Sequence, residues 1–215
     1  MRIVRRLTEK PWLTPGLDSL SEPEAQGLRL PAAEVGLRVY FGVATVMFLL
    51  IAVVFLMRMG EHGIAVGQQP DWKPMVWPPL LWFNTGVLML SSVAWELARA
   101  AAHQGRRDAL GRSLIAGGGL ALLFLAGQLT VWDQLEAAGC GLTATTMSAF
   151  FYLITALHGL HLLGGLTVWG RTTAKVLGGS EAAEVRQSVD LCTIYWHFLL
   201  LVWLVMFVLL LLNRR

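Results

Sequence analysis

Two histidines lie three residues apart in one of the most apolar stretches of the chain. Residues 149–165 read AFFYLITALHGLHLLGG, and because positions i and i+3 of a helix share a face, His158 and His161 point in the same direction. Ionisable side chains in a bilayer core are costly, and they usually face a protein partner or a functional site. The pair could therefore ligate a metal or a haem, or it could form hydrogen bonds between helices.

A bis-histidine haem is one redox site that these residues could build. Such a haem needs its two histidines on facing helices at matching depth. His158 and His161 are in the middle of an apolar stretch, whereas His197 lies near the start of another, within reach of His161. A b-type haem electron-transfer subunit is therefore an alternative interpretation. We expect instead neutral histidines that hydrogen-bond across helices, and we predict no metal, no cofactor and no catalytic residue in this chain.

The sequence lacks the residues that other catalytic sites or a transport pathway would need. A copper centre would need further histidines or a close cysteine pair, whereas Cys140 and Cys192 are separated by a full apolar span. The sequence contains no HExxH, no phosphate-binding loop and no Ser–His–Asp set that would lie in one plane. A transporter would carry acidic residues well inside its spans. The apolar stretches hold almost none, so a small transporter is disfavoured.

The composition places the chain in a membrane. Hydrophobic residues make up 55% of the sequence and charged residues only 14%, whereas soluble domains carry about 25% charged residues. Apolar runs of about 20 residues recur along the chain, which is typical of transmembrane helices. The pI near 9.2 does not indicate nucleic-acid binding, because the basic residues lie in loops at the membrane edges, where they set orientation.

We predict an all-α polytopic membrane protein with five transmembrane helices in one domain, residues 39–212. Residues 1–38 are polar and are broken by four prolines, so we predict a cytoplasmic N-terminal arm with one short helix near residues 22–30. The predicted spans cover about residues 39–57, 77–101, 113–132, 145–169 and 193–212.

The lysines and arginines predict the orientation of these spans. An odd number of spans puts the two termini on opposite sides of the membrane, and thirteen of the 17 Lys and Arg residues fall on the side of the N-terminus. Positive residues favour the cytoplasmic side. We therefore expect a cytoplasmic N-terminus and a periplasmic C-terminus.

Several polar side chains within or beside the spans are candidates for contacts between helices. Glu96 and Arg99 are three residues apart and can pair at the membrane interface. Gln128 is the one strongly polar side chain inside the third span. The full set for which we predict a structural, interhelical role is Asn84, Gln128, His158, His161, Asp190, Trp196 and His197.

Four motifs resemble subunit III of haem-copper terminal oxidases. They occur in the family's order, with FNTGVLML in the second span, the Gln128 region in the third, HGLHLLGG in the fourth and IYWHFLLLVWLVMF in the fifth. Asp190 stands seven residues before His197, where the family commonly has an acidic residue. The resemblance covers about residues 36–212 and is to the short bacterial form, which has five helices and lacks the first two of the longer members.

The resemblance implies an accessory, non-redox subunit of a cytochrome c or quinol oxidase in the bacterial inner membrane. Such a complex reduces oxygen to water and pumps protons, with its haems and copper in partner subunits. Subunit III would pack on subunit I, stabilise it and support proton uptake, with subunit II, further small subunits and membrane lipids as additional partners and no nucleic acid. A nitric oxide reductase as the complex stays an alternative.

Two departures from the family pattern limit what the resemblance implies. Longer members place a buried glutamate in the helix that the first span resembles, but Phe48 stands at that position here. A proton-related role for that carboxylate therefore does not transfer to this chain. The lipid-filled cleft of the longer members lies beside the two missing helices, so a bound phospholipid would have to use the wall of a neighbouring subunit.

Overall fold

The computed structural model describes residues 32–64, 78–179 and 182–212. These residues form five helices joined by turns, and no strand occurs among them. All five helices are long and apolar enough to cross a membrane, which confirms the predicted all-α fold with five spans. The helices are α1 (Ala32–Ile64), α2 (Leu80–His103), α3 (Arg107–Ala137), α4 (Thr146–Leu177) and α5 (Ala182–Leu212).

Four helices extend well beyond the predicted spans. α1 covers Ala32–Ile64 rather than residues 39–57, so its first turns lie within the predicted arm. α3 begins at Arg107 rather than at residue 113, α4 continues to Leu177, and α5 begins at Ala182 rather than at residue 193. The four have 31 to 33 residues, which is about 46–50 Å of helix against a hydrocarbon core of about 30 Å. The apolar pattern of a sequence predicts only the part of a helix that lies in hydrocarbon. The polar turns at the helix ends were therefore not predicted.

The chain divides into two compact units, Met1–Val39 and Tyr40–Arg215. In the first unit the structure describes only the start of α1, where Arg38 forms an ion pair with Glu34 at 2.6 Å, one turn earlier. The rest of the predicted arm, with its short helix, lies outside the described residues. The second unit contains the membrane bundle.

Local sequence signals fix the ends of three helices. Gly105 and Gly139 adopt left-handed φ angles of 70° and 77°, and the N–H group after each glycine bonds to the carbonyl oxygen five residues earlier. This Schellman arrangement ends α2 and α3 in the same way. α4 begins with a capping box, in which Thr145 Oγ1 accepts from the N–H of Ser148 and Ser148 Oγ accepts from the N–H of Thr145.

Aromatic rings fill the interior of the bundle. α3 packs against α2 and α4, and α5 packs against the same two helices. Trp203 of α5 lies at the centre, with ring centroids 4.9 Å from Phe124 of α3 and 5.0 Å from His158 of α4. α1 is held by similar contacts, among them the stacking of Phe41 on Phe198 of α5 at 4.4 Å. The core is therefore built from large rings that reach across between helices.

Candidate functional site

His158 lies in the interior of the bundle, with 1% of its surface exposed. Phe124 of α3 packs edge-on against the imidazole at a centroid distance of 5.9 Å, and the ring of Trp203 lies 5.0 Å away. Neither ring nitrogen has a hydrogen-bond partner among the described residues. The expected hydrogen bond between helices is not found at His158, because the neighbouring helices present aromatic rings to it.

His161, one turn further along α4, uses its ring nitrogen within its own helix. Its Nδ1 lies 2.7 Å from the carbonyl oxygen of Leu157. The imidazole packs against two rings of α1, Tyr40 at 5.9 Å and Phe48 at 5.3 Å between centroids. Phe48 is 2% exposed, so its ring is part of the buried contact between α1 and α4.

Two tyrosines supply the polar link between helices that the histidines were expected to form. Tyr195 of α5 donates its hydroxyl proton to the carbonyl oxygen of His161 at 2.7 Å. The hydroxyl of Tyr40 lies 3.2 Å from that of Tyr195, so α1, α4 and α5 share one hydrogen-bonded chain. Gly165 makes room for it, since a Cβ there would lie 2.6 Å from Tyr195 Cε1. Sequence reasoning missed both tyrosines, because their partners are a backbone atom and each other.

Charged residues meet at the end of the bundle where α2 ends and α3 begins. Arg99 Nε donates to Asp190 of α5 at 3.0 Å, and His103 Nε2 lies 2.9 Å from the same carboxylate. Arg99 also lies 3.8 Å from Glu96, the partner that helical spacing predicts. His197 Nε2 is 4.0 Å from the Glu96 carboxylate. Asp190 is thus the nearer partner of Arg99, and because the two residues are 91 positions apart, their spacing in the sequence could not predict this contact.

The histidine and cysteine side chains that the structure describes do not converge on one point. Within the described ranges, no group of three or more His, Cys, Asp or Glu side chains is placed to hold a metal ion. His197 Nδ1 lies 2.7 Å from the carbonyl oxygen of Thr193 in its own helix. Cys140 and Cys192 are both free, and Cys192 Sγ lies 3.4 Å from the hydroxyl of Thr172. The geometry of these side chains is that of packing and local hydrogen bonds.

The remaining predicted residues have three different environments. Asn84 Nδ2 donates to a backbone carbonyl of α3 at 3.3 Å, and Gly127 makes room for it, since a Cβ there would collide with the Asn84 amide. Gln128 is 4% exposed, and its amide has no hydrogen-bond partner in the described part of the chain. Trp196 stacks on Trp95 of α2 at 5.4 Å, so its observed contact is between rings.

Further ties between helices run from side chains to backbone carbonyls. Trp169 Nε1 of α4 donates to Leu114 O of α3 at 2.9 Å, and Ser91 Oγ of α2 donates to Gly117 O at 2.8 Å. A Cβ at Gly118 would meet the indole of Trp169. Gly117 and Gly118 of α3 thus let α2 and α4 approach the α3 backbone closely enough for these bonds. The glycines were visible in the sequence, but their partners were not.

Comparison with known proteins places this arrangement in a family. Residues 18–213 match the family described as cytochrome c oxidase subunit III. The chain is 31% identical over 184 residues to cytochrome c oxidase subunit 3 of Synechocystis sp., which covers 79% of this chain and 73% of that one. It is 26% identical over 150 residues to cytochrome bo(3) ubiquinol oxidase subunit 3 of Pseudomonas aeruginosa, with coverage of 68% and 69%. The probable cytochrome c oxidase subunit 3 of Mycobacterium leprae is 28% identical over 176 residues, with coverage of 77% and 84%.

Proposed function

The chain belongs to the cytochrome c oxidase subunit III family, and from that premise we propose that it is an accessory subunit of a haem-copper oxidase and holds no redox centre itself. In this proposal it packs on subunit I, together with subunit II and smaller subunits. It stabilises subunit I and supports proton uptake while the complex reduces oxygen to water and pumps protons.

One observation carries the non-redox part of the proposal, namely the surroundings of the two mid-span histidines. A haem iron needs a free imidazole nitrogen that faces an open space the size of a porphyrin. His158 is enclosed by the rings of Phe124 and Trp203, and His161 packs against Tyr40 and Phe48. Aromatic packing of this kind supports a structural role for both residues.

The outer surface of the bundle supports association with lipid and with other subunits. α1 exposes a run of large apolar side chains, with Val43 66% and Leu50 60% exposed. Such a surface needs apolar neighbours, which a bilayer or a partner's helices supply. We propose further that the protein lies in a bacterial inner membrane with its N-terminus in the cytoplasm, since thirteen of its 17 Lys and Arg residues then lie on the cytoplasmic side.

The test is purification of the intact complex through an affinity tag on this chain. We expect a haem-bearing subunit to co-purify in a fixed ratio and the complex to reduce oxygen. Quantitative mass spectrometry of the complex and its visible spectrum give both results. Isolation of this chain without any haem-bearing partner would overturn the proposal.

A b-type haem subunit is the second outcome that this experiment separates. If the separated chain kept a haem absorption band, and the band vanished in His158→Leu or His161→Leu, the chain itself would be an electron carrier. The same mass spectra identify the complex, including a nitric oxide reductase. The electron donor is read from activity with reduced cytochrome c and with quinol, because relatives carry the names of both kinds of oxidase.

A further inference from the structure

A recess of about 90 Å³ opens at the end of the bundle where α2 ends and α3 begins. Its apolar lining comes from four helices and includes Ala102 of α2, Leu110 of α3, Val176 of α4 and Val185 of α5. Ala102, Leu110 and Val185 are buried, so they form the floor. Since a water molecule needs about 10–15 Å³ of such volume, the recess admits a chemical group of several heavy atoms.

Positive charge gathers around this apolar floor. Arg106 and Arg107 line the recess and are exposed, and neither guanidinium group has an acidic partner within the described ranges. Arg186 of α5 donates its Nε to Ala102 O at 3.3 Å, which brings a third guanidinium group to the same lining residue. No acidic side chain is among the described residues of the lining, since Asp108 follows Arg107 in the sequence but does not line the recess.

Unpaired guanidinium groups above an apolar floor fit the headgroup of an anionic phospholipid. A guanidinium group binds phosphate through charge-assisted, often bidentate, hydrogen bonds, and the glycerol carbons next to a lipid phosphate can cover the apolar floor. A free phosphate ion would gain nothing from that floor. A peptide carboxylate would bring backbone N–H and C=O groups, for which an apolar lining has few partners.

The depth of the recess in the membrane also favours a lipid headgroup. α2 has 24 residues, which is about 36 Å of helix against a hydrocarbon core of about 30 Å. The last turn of α2, which includes Ala102, therefore lies where the hydrocarbon meets the headgroup layer. Basic pockets between transmembrane helices at the cytoplasmic surface are typical sites for anionic headgroups.

We propose that this recess binds one anionic phospholipid, with Arg106 and Arg107 on its phosphate and the apolar floor against its glycerol carbons. The site does not depend on which complex the chain joins, and only its cytoplasmic placement rests on the proposed orientation. Basic loops attract anionic lipids diffusely, through total charge alone. A recess that holds one lipid instead depends on which arginines are present, and this difference can be tested.

The experiment compares Arg106→Gln/Arg107→Gln with Arg112→Gln/Arg171→Gln in the full-length chain. Both double variants remove two positive charges from exposed positions towards the same end of the bundle, but Arg112 and Arg171 do not line the recess. Each chain is incorporated into nanodiscs of equimolar phosphatidylglycerol and phosphatidylcholine and then extracted into mild detergent. Native mass spectrometry counts the lipids that each chain retains.

We expect the wild-type chain to retain one phosphatidylglycerol in preference to phosphatidylcholine. Arg106→Gln/Arg107→Gln should lower the retained phosphatidylglycerol by about tenfold, and Arg112→Gln/Arg171→Gln should match the wild type. Equal losses from the two double variants would show attraction by total charge alone and would overturn the site. A wild-type chain without preference for phosphatidylglycerol would overturn it as well.

Two further measurements identify the occupant. Excess inorganic phosphate should leave the retained lipid unchanged relative to sodium chloride of equal ionic strength, and displacement by phosphate alone would show that the recess selects a free anion. A diazirine amino acid at Val176, activated in native membranes that contain the assembled complex, should crosslink to phospholipid. A crosslink only to a peptide of another subunit would show that a partner segment fills the recess and would overturn the proposal.

Discussion

Replacing Gly118 by alanine tests how closely α3 and α4 must approach each other. A Cβ at this position would meet the indole ring of Trp169, with Nε1 only 2.6 Å away. That indole donates to Leu114 O at 2.9 Å. The added methyl group therefore forces the ring to move, and the hydrogen bond that joins the two helices lengthens or breaks.

Gly119→Ala is the control from which the magnitude follows. A Cβ at Gly119 meets no atom within 4 Å, and the two substitutions share the gain in helix propensity of about 1 kcal/mol, which cancels in their difference. At Gly118, overpacking costs about 1–3 kcal/mol and the weakened hydrogen bond about 0.5–1.5 kcal/mol. We expect Gly118→Ala to be less stable than Gly119→Ala by about 2–4 kcal/mol.

The assay is unfolding of the chain in mixed micelles as the mole fraction of SDS rises, followed by circular dichroism. Near-ultraviolet dichroism of the indoles reports in parallel whether the Trp169 environment changes at low SDS. Midpoints that are equal for the two variants and not below that of the wild type would refute the close approach of α3 and α4 at Gly118. Equal destabilisation of both would show that the triple glycine acts through backbone flexibility and not through the space it leaves for Trp169.

Three further substitutions test other contacts in the bundle. Tyr195→Phe removes the hydroxyl that joins His161 O to Tyr40. We expect the free energy of unfolding in the same assay to fall by about 1–3 kcal/mol, because two hydrogen bonds of about 0.5–1.5 kcal/mol each are lost. An unchanged midpoint would contradict this link between the helices. Asp190→Asn weakens the contact with Arg99. Because both side chains are partly exposed, we expect the free energy of unfolding to fall by at most about 1 kcal/mol, and by less in high salt. A larger decrease that does not depend on salt concentration would contradict this reasoning. His158→Leu removes two buried nitrogens that have no partner in the described residues, so we expect the free energy of unfolding to change by no more than about 1 kcal/mol. We also expect no change in haem per assembled complex, measured by the pyridine haemochrome assay. Loss of haem from an intact complex would count against a packing role.

Local patterns in the sequence were sufficient where the interacting residues are neighbours along the chain. The i,i+3 spacing predicted the contact of Glu96 with Arg99, which the structure has at 3.8 Å. It could not predict that Arg99 lies closer to Asp190, because that contact depends on how α2 and α5 pack. The same limit applied to His161, whose carbonyl oxygen, and not its ring, receives the bond from Tyr195.

The sequence by itself determined that this is a five-span membrane protein of the subunit III family. The lengths of the apolar stretches, the positions of the charged residues and the order of the motifs can all be obtained without knowing how the helices pack. Tertiary structure alone decided what each buried polar side chain does. Helix rotation and spacing set whether an imidazole meets a ring or a carbonyl. They leave the amide of Gln128 without a hydrogen-bond partner among the described residues, whereas the amide of Asn84 donates to a backbone oxygen. Such pairings depend on differences of a few ångströms between helices that are distant in sequence, and hydropathy does not record them.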